Sequence, residues 1–290
     1  LAEVQREGAH NANDTIKLLM ELVSDILEKA GSHRKEIKKA GIALGGIVSH
    51  KKEVVFWPQG QGAYAHVTFP LKEHLEKTFN ISVTLENDAN ACVWAEHIIN
   101  FSKNKNIVYM FSGVGAGLII DGRLYRGKNG TAGELFLNAD NKAMSTRLGE
   151  FSFLRQWPAG LEMTKRAKEL MSLGKESALL KKISPTGKLN LKDILHEAVK
   201  KDKLAREVVR EGAFALGVKA AFLINLLDPE VMIIGGGMEE GGDVFLEDCL
   251  AAIKTFSLSE TRANCKVVMS PLGKKAASVG AAWLALADNQ

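Results

Sequence analysis

The 290-residue chain lacks several things that would place it quickly. It has three cysteines, Cys92, Cys249 and Cys265, far apart in sequence and in no C-x-C or C-x-x-C pair. That argues against a cysteine-based zinc cluster and for reduced, buried thiols in a cytoplasmic protein. No apolar run reaches the length of a membrane span, and no secretory signal is visible. There is no internal repeat and no low-complexity tract. Charge of neither sign dominates: the formal balance is +4, which argues against a polyanion-binding surface spread over the whole molecule.

What is present is a chain with 46% hydrophobic residues, enough for a substantial core, and long enough for one large domain or two ordinary ones. Apolar runs and amphipathic stretches alternate, which predicts an α/β fold. Helices are expected at about Asp14 to Ala30, Pro70 to Phe79, Ala89 to Ile99, 161–174, Leu191 to Lys200, Lys203 to Leu227, Val244 to Thr255 and Ala276 to Ala287. Strands are expected at Ile42 to Val48 (interrupted by Gly45-Gly46), Glu53 to Trp57, Ile81 to Leu85, Ile107 to Phe111, Leu118 to Ile120, Val231 to Ile234 and Lys266 to Met269.

The chemistry concentrates between Val83 and Gly133. A strand ends at Leu85-Glu86-Asn87-Asp88-Ala89-Asn90-Ala91, where Asn87 or Asp88 occupies a helix N-cap position. A carboxylate there is held ionised by the helix dipole and can take a proton from a hydroxyl; equally, Asp88 can be a cap and nothing more. Next comes Ser112-Gly113-Val114-Gly115-Ala116-Gly117. Gly113, Gly115 and Gly117 let the backbone turn sharply and let a ligand approach amide N–H groups, making a candidate phosphate loop. A strand rather than a helix follows, so it is not the dinucleotide fingerprint. Asp121-Gly122 signals a hairpin turn.

Together these pieces resemble the ROK family of repressors, open reading frames and sugar kinases. The family's E-N-D-A-N-A segment, G-V-G-A-G loop, D-G-x-L-Y-R-G hairpin and G-x-A-G-E segment stand here in order, the last as Gly130-Thr131-Ala132-Gly133-Glu134. The likeness continues through Leu216-Gly217, Asn225 to Glu230, Ile234-Gly235-Gly236-Gly237 and Gly280-Ala281-Ala282, covering nearly everything after about Thr15.

The resemblance implies a two-lobed actin-like ATPase (ribonuclease H-like) fold of ROK type. Residues 1–88 plus 276–290 would form the small lobe and 89–275 the large one. It implies sugar contacts at Gly46, Asn87, Asp88 and Glu134, with Asp88 the general base in a kinase. It implies nucleotide contacts at Gly113, Gly115, Gly117 and the turn Gly235, Gly236 and Gly237. The Gly45-Gly46 pair fits a bulge or strand end equally well.

Departures from the family matter as much. Its E-x-G-H would put histidine where Leu137 stands, its zinc cluster has no counterpart in 138–154, and a second sugar-binding glutamate would fall at Arg155. No metal site and no zinc are therefore expected; Phe136, Phe151, Phe153 and Trp157 are candidates to fill the space. The family's asparagine in the Pro58 to Ala65 loop is also absent, with Gln59, Gln61 or Tyr64 as substitutes. Arg155 either adds a positive charge suited to an anionic sugar derivative, or points to solvent or pairs with Glu150. The D-x-G-G-T phosphate hairpin and the repressors' helix-turn-helix do not occur, which favours a fragment over a protein without them.

The expected function is a sugar-responsive transcriptional regulator's effector-binding and dimerisation portion, a homodimer or tetramer in the cytoplasm. DNA would be reached only through an N-terminal segment outside this chain. The alternatives are an ATP- and Mg2+-dependent sugar kinase and a scaffold without either activity.

Overall fold

The structure is a computed structural model that describes residues 12–49, 54–56, 70–113, 115–135 and 159–287. The expectations resting on Gln59, Gln61, Tyr64, Leu137, Glu150 and Arg155, and on the aromatic cluster from Phe136 to Trp157, lie outside these residues.

The first third is built around a pair of parallel strands. Helix α1 (Ala12–Lys29) precedes β1 (Lys39–Leu44), and β2 (Ile47–Ser49) pairs antiparallel with β3 (Val54–Phe56). Helix α2 (Leu71–Phe79) then leads into β4 (Ser82–Asn87), which lies parallel to β1 with Leu44 opposite Asn87. Ile42, Leu44, Leu71, Leu75, Val83 and Leu85 form one core here, with Ile16, Leu19 and Val23 of α1 packed on its side.

The rest is organised on a five-stranded sheet in the order β7-β6-β5-β8-β9: Arg123–Leu124, Gly115–Ile120, Ile107–Phe111, Val231–Gly235 and Lys266–Met269. Strands β5, β8 and β9 are parallel, and β6 alone runs the other way, because the β5–β6 and β6–β7 connections are tight hairpins. The central β8 is buried along its whole length, as its Val-Met-Ile-Ile run predicts.

Helix α3 (Asp88–Ile99) follows β4 directly; the sheet is then covered by α4 (Ala159–Ser172), α5 (Leu191–Val199), α6 (Lys203–Leu227) and α7 (Gly242–Phe256). The Asp202 carboxylate caps the start of α6 by accepting from Ala205 N, and Asp228 ends it in the left-handed region at φ 45°. Among the described α-helices, the five-residue α8 (Ser259–Ala263) escapes the sequence reading, being too short to show a period.

The last helix, α9 (Ala276–Ala287), packs on α3 and returns to β1. The approach is backbone to backbone. A Cβ on Gly280 would lie 1.8 Å from Ala91 O, and one on Gly41 would lie 1.9 Å from Ala281 O. Small residues at these crossings are therefore a geometric requirement. Cys92 and Cys249 are buried as expected, but Cys265, at the start of β9, is half-buried.

Candidate functional site

Asp88 stands where β4 meets α3, and the local hydrogen bonds explain why the chain turns there. Asn87, not Asp88, is the N-cap: its Oδ1 accepts from Ala89 N at 2.9 Å and Asn90 N at 3.2 Å. Its Nδ2 donates to Gly46 O at 2.9 Å, tying the Gly45-Gly46 turn to the start of α3. Gly46 has φ 113°, which only glycine adopts without strain. Asn87 therefore keeps a single Nδ2 hydrogen for any ligand.

Behind this turn lies Glu86, 1% exposed. Its Oε1 accepts from Asn87 N at 2.9 Å and Asn90 Nδ2 at 3.0 Å, and its Oε2 accepts from Arg126 Nε at 2.7 Å. Arg126 belongs to the stretch just after the β6–β7 hairpin, so one ion pair locks that stretch to the strand that delivers Asp88. At the far end of α3, the buried Glu96 accepts from Ser270 Oγ at 2.6 Å and Leu272 N at 3.0 Å. The helix is thus pinned at both ends by buried carboxylates.

Asp88 itself is half-buried, with one oxygen accepting from Ala89 N at 2.8 Å and the other 3.5 Å from where a Cβ on Gly45 would sit. The expectation that the helix dipole sets its charge needs correcting. Burial raises its pKa to about 6, outweighing the backbone hydrogen bonds that pull it down. At pH 7 it is still ionised in roughly ten molecules of eleven, and it is a better base than an ordinary aspartate.

Glu134 comes alongside through an isolated bridge between Gly115 and Glu134 and a bond from Ala116 N to Gly133 O at 2.8 Å. Its pKa is raised too, first by burial and then by the charge on Asp88. Two proton-hungry carboxylates therefore share one corner of the molecule. Hydroxyl groups that donate to them suit that corner better than a further negative charge.

The glycines divide into two kinds. Gly115 and Gly117 are not in a loop but in β6. A Cβ on Gly117 would lie 2.1 Å from Ala89 O, so its first duty is to let α3 settle on the sheet; at Gly115 the nearest atom is 4.0 Å away. Gly113 (φ 76°), by contrast, lies in the β5–β6 turn after Ser112, itself at φ 50°. Ser112 Oγ donates to Gly236 O at 2.5 Å, and Lys219 Nζ donates to Gly113 O at 2.7 Å. A Cβ on Gly235 would lie 1.9 Å from the Tyr109 hydroxyl, and Gly236 and Gly237 have φ 71° and 95°. Strands β5 and β8 are neighbours, so the turns that follow them are joined into one glycine-lined shelf.

The structure places Asn87, Asp88, Glu134 and Gly46 in one corner, and Gly113 with Gly235, Gly236 and Gly237 in another. The sequence reading missed Glu86, Arg126, Ser112 and Lys219. Lys219 did leave a signal: it interrupts the apolar stripe of Leu216, Ala220 and Leu223 on α6. Among the described residues no three His, Cys, Asp or Glu side chains gather in a way that could hold a metal ion.

Comparison with known proteins decides the family. A model of the ROK family matches residues 2–288. The chain belongs to the ROK family. The glucokinase of Halalkalibacterium halodurans is 28% identical to it, over 94% of this chain and 85% of that protein. NagC of Escherichia coli, named a DNA-binding transcriptional dual regulator, is 27% identical over 89% of this chain and 63% of its own length. A ROK glucokinase from Streptomyces griseus, solved with glucose and AMPPNP, superposes with a TM-score of 0.77 at 25% identity, covering 96% of this chain and 89% of that one. The fold is accordingly the actin-like one of ROK sugar kinases and repressors. Both kinds of ROK protein are relatives of this chain, which spans most of the kinase but under two thirds of the regulator. Among the described residues no helix is long and apolar enough to cross a membrane.

Proposed function

We propose that this ROK protein is the effector-binding and dimerisation portion of a cytoplasmic, sugar-responsive transcriptional regulator. The small lobe would comprise residues 1–88 with 276–290 and the large lobe 89–275. The observation that carries the reading is the corner where Asp88 and Glu134 meet beside Asn87 and the Gly46 turn. It offers two carboxylates as hydroxyl acceptors, one free amide hydrogen and a backbone held close. Each neutral hydrogen bond adds only about 0.5–1.5 kcal/mol net, so a sugar needs several such groups converging. The replacement of a family histidine and glutamate by Leu137 and Arg155 supports a site used for sensing rather than turnover. DNA contact would come from a segment outside this chain.

The second reading is an ATP-dependent sugar kinase. Its support is the raised pKa of Asp88, apt for deprotonating a hydroxyl, and the glycine shelf, whose bare backbone fits the phosphates of a nucleotide. Mg2+ would then arrive on the nucleotide rather than in a protein cage, in keeping with its preference for phosphate and water ligands. One calorimetric series separates the readings: glucose, N-acetylglucosamine and their 6-phosphates, each with and without MgATP. Sugar binding with no turnover supports the regulator. Turnover abolished by Asp88→Asn overturns it in favour of the kinase.

A further inference from the structure

A second concavity stands apart from the Asp88 corner. The α5–α6 turn, the first two turns of α6 and the start of α7 enclose a cleft of about 560 Å³. Small-molecule sites have volumes of that order. Part of the lining is apolar: Ala198 and Val199 at the end of α5, the valine 49% exposed, and Val244 of α7. The rest is cationic: Lys201 in the turn, then Lys203, Arg206 and Arg210, which fall on one face of α6 at i, i+3 and i+7. The single acid of the lining, Glu207, is occupied, since Lys175 Nζ donates to its two oxygens at 2.9 and 2.7 Å. Arg206 is held in place, its Nη1 donating to Asp248 Oδ2 at 2.7 Å and to Val244 O at 3.2 Å. Lys201, Lys203 and Arg210 make no side-chain hydrogen bond or ion pair with another described residue; Arg210 acts on Glu207 only as a charge at a distance.

Two features of this cleft call for an occupant. Arg206 and Arg210 are a like-charge pair at i, i+4, an arrangement that weakens a helix, and the exposed valine lies against water. The end of α6 is already capped, because the Asp202 carboxylate accepts from Ala205 N at 2.9 Å, and it accepts from Ser177 Oγ and Ala178 N as well. The side-chain cations, rather than the helix terminus, therefore define what fits. An anion with a carbon body meets both needs: its charge offsets the cations and its carbon covers the valines. A phosphate monoester suits better than a carboxylate. It brings up to two charges and three terminal oxygens, enough for a guanidinium fork and two ammonium groups together.

We propose that this cleft is a ligand site for a small organic phosphate, a phosphate monoester on an apolar body, held by Lys203, Arg206 and Arg210 with Lys201. The site is separate from the corner of Asp88 and Glu134: Lys219, which meets the Gly113 turn, is about 13 Å further along α6 than Arg210. It applies equally to a regulator and to a kinase.

The test is calorimetry on the full chain with phenyl phosphate, inorganic phosphate and uncharged benzyl alcohol. The expected order in the wild type is phenyl phosphate tightest, inorganic phosphate several-fold weaker, and benzyl alcohol without measurable binding. The double variant Lys203→Gln with Arg210→Gln should bind phenyl phosphate at least about tenfold more weakly. A control that removes the same charge elsewhere, Lys29→Gln with Lys103→Gln, should change it less than about twofold. Equal losses in the two double variants overturn the proposal, because the anion then answers to net charge and not to the cleft. Inorganic phosphate binding as tightly as phenyl phosphate overturns the organic ligand, since the valines then contribute nothing. A wild type that does not bind phenyl phosphate at millimolar concentration overturns the site. Thermal melts check that the variants fold. Should the double variant fail to fold, Val199→Glu takes its place: it sets a negative charge in the apolar part of the lining and must weaken phenyl phosphate by a similar factor, and unchanged affinity overturns the site.

Discussion

Strands β4 and β5 both run into a sharp turn, and the two turns are built on opposite principles. The end of β4 is dense with side-chain hydrogen bonds: Glu86, Asn87 and Arg126 hold Asp88 at the mouth of α3. The end of β5 is sparser: among the described residues, Ser112 and Gly113 stay in left-handed conformations with a serine hydroxyl bond, a lysine bond and a long bond from Ser112 N to Gly235 O at 3.4 Å. The first arrangement keeps a carboxylate in a fixed place, where burial raises its pKa. The second keeps backbone accessible.

The comparison can be broken most severely at Gly117. A methyl there would overlap the Ala89 carbonyl, so Gly117→Ala must lift α3 off β6 and carry Asp88 with it. Overlap with backbone is not relieved by a rotamer change, and a loss of at least about 3 kcal/mol is expected. Gly115→Ala, two residues away with its nearest neighbour at 4.0 Å, should cost under about 1 kcal/mol. Urea denaturation of the two variants measures the difference. Equal losses would mean that α3 does not depend on that contact.

The next largest effect concerns the ion pair behind Asp88. Arg126→Met removes the countercharge that Arg126 supplies to the buried Glu86. A cost of about 2–3 kcal/mol is expected, somewhat below the usual figure for a broken buried pair because Arg126 is partly exposed. Sugar binding should weaken with it, since Glu86 also holds Asn87 N. Calorimetry and denaturation together check this; unchanged sugar affinity in a destabilised protein would separate the pair from the site.

These outcomes also show what the sequence could and could not convey. The element order was legible because long periodic runs such as Lys203 to Leu227 and short buried runs such as Val231 to Ile234 carry strong patterns. The residues of the Asp88 corner stood in the sequence as a family motif in order. What was not legible is the duty of each glycine: Gly113 and Gly117 look alike in a G-V-G-A-G string, yet one makes a turn and the other a helix–strand contact. Nor could the string show that burial would outweigh the dipole at Asp88. That depends on how deeply the fold buries the carboxylate.

Asp88 supplies a pH test of the dense turn. Its folded pKa, near 6, is above the unfolded value of about 3.9, so its contribution to stability is complete below the unfolded value and is lost as pH rises through 6. At pH 7 the carboxylate therefore weakens the fold, and Asp88→Asn should be more stable by on the order of 1–2 kcal/mol, the partial exposure of the group reducing the full figure. The advantage should vanish below about pH 4. Affinity for a sugar whose hydroxyl donates to the carboxylate should run the other way, falling as pH drops through 6 in the wild type and staying flat in Asp88→Asn. Denaturation and calorimetry across pH 4–8 read both.

The smallest expected effect lies in the sparser turn. Ser112 holds φ 50°, a conformation that costs an L-residue roughly 1 kcal/mol and costs glycine nothing. Its hydroxyl returns a similar amount through the bond to Gly236 O, a net of about 1 kcal/mol for a typical hydrogen bond. Ser112→Ala keeps the strain and loses the bond, so it should be less stable by about 1 kcal/mol. Ser112→Gly loses the bond but also the strain, so it should fall within about 0.5 kcal/mol of wild type. Stability alone would then make glycine an equal choice. The hydroxyl's remaining effect is to couple the two turns, and that should appear as weaker binding of triphosphate in both variants by a similar factor. If Ser112→Gly instead binds triphosphate as well as wild type while Ser112→Ala does not, strain rather than the bond to Gly236 governs the shelf, and the joint between β5 and β8 is dispensable for the ligand.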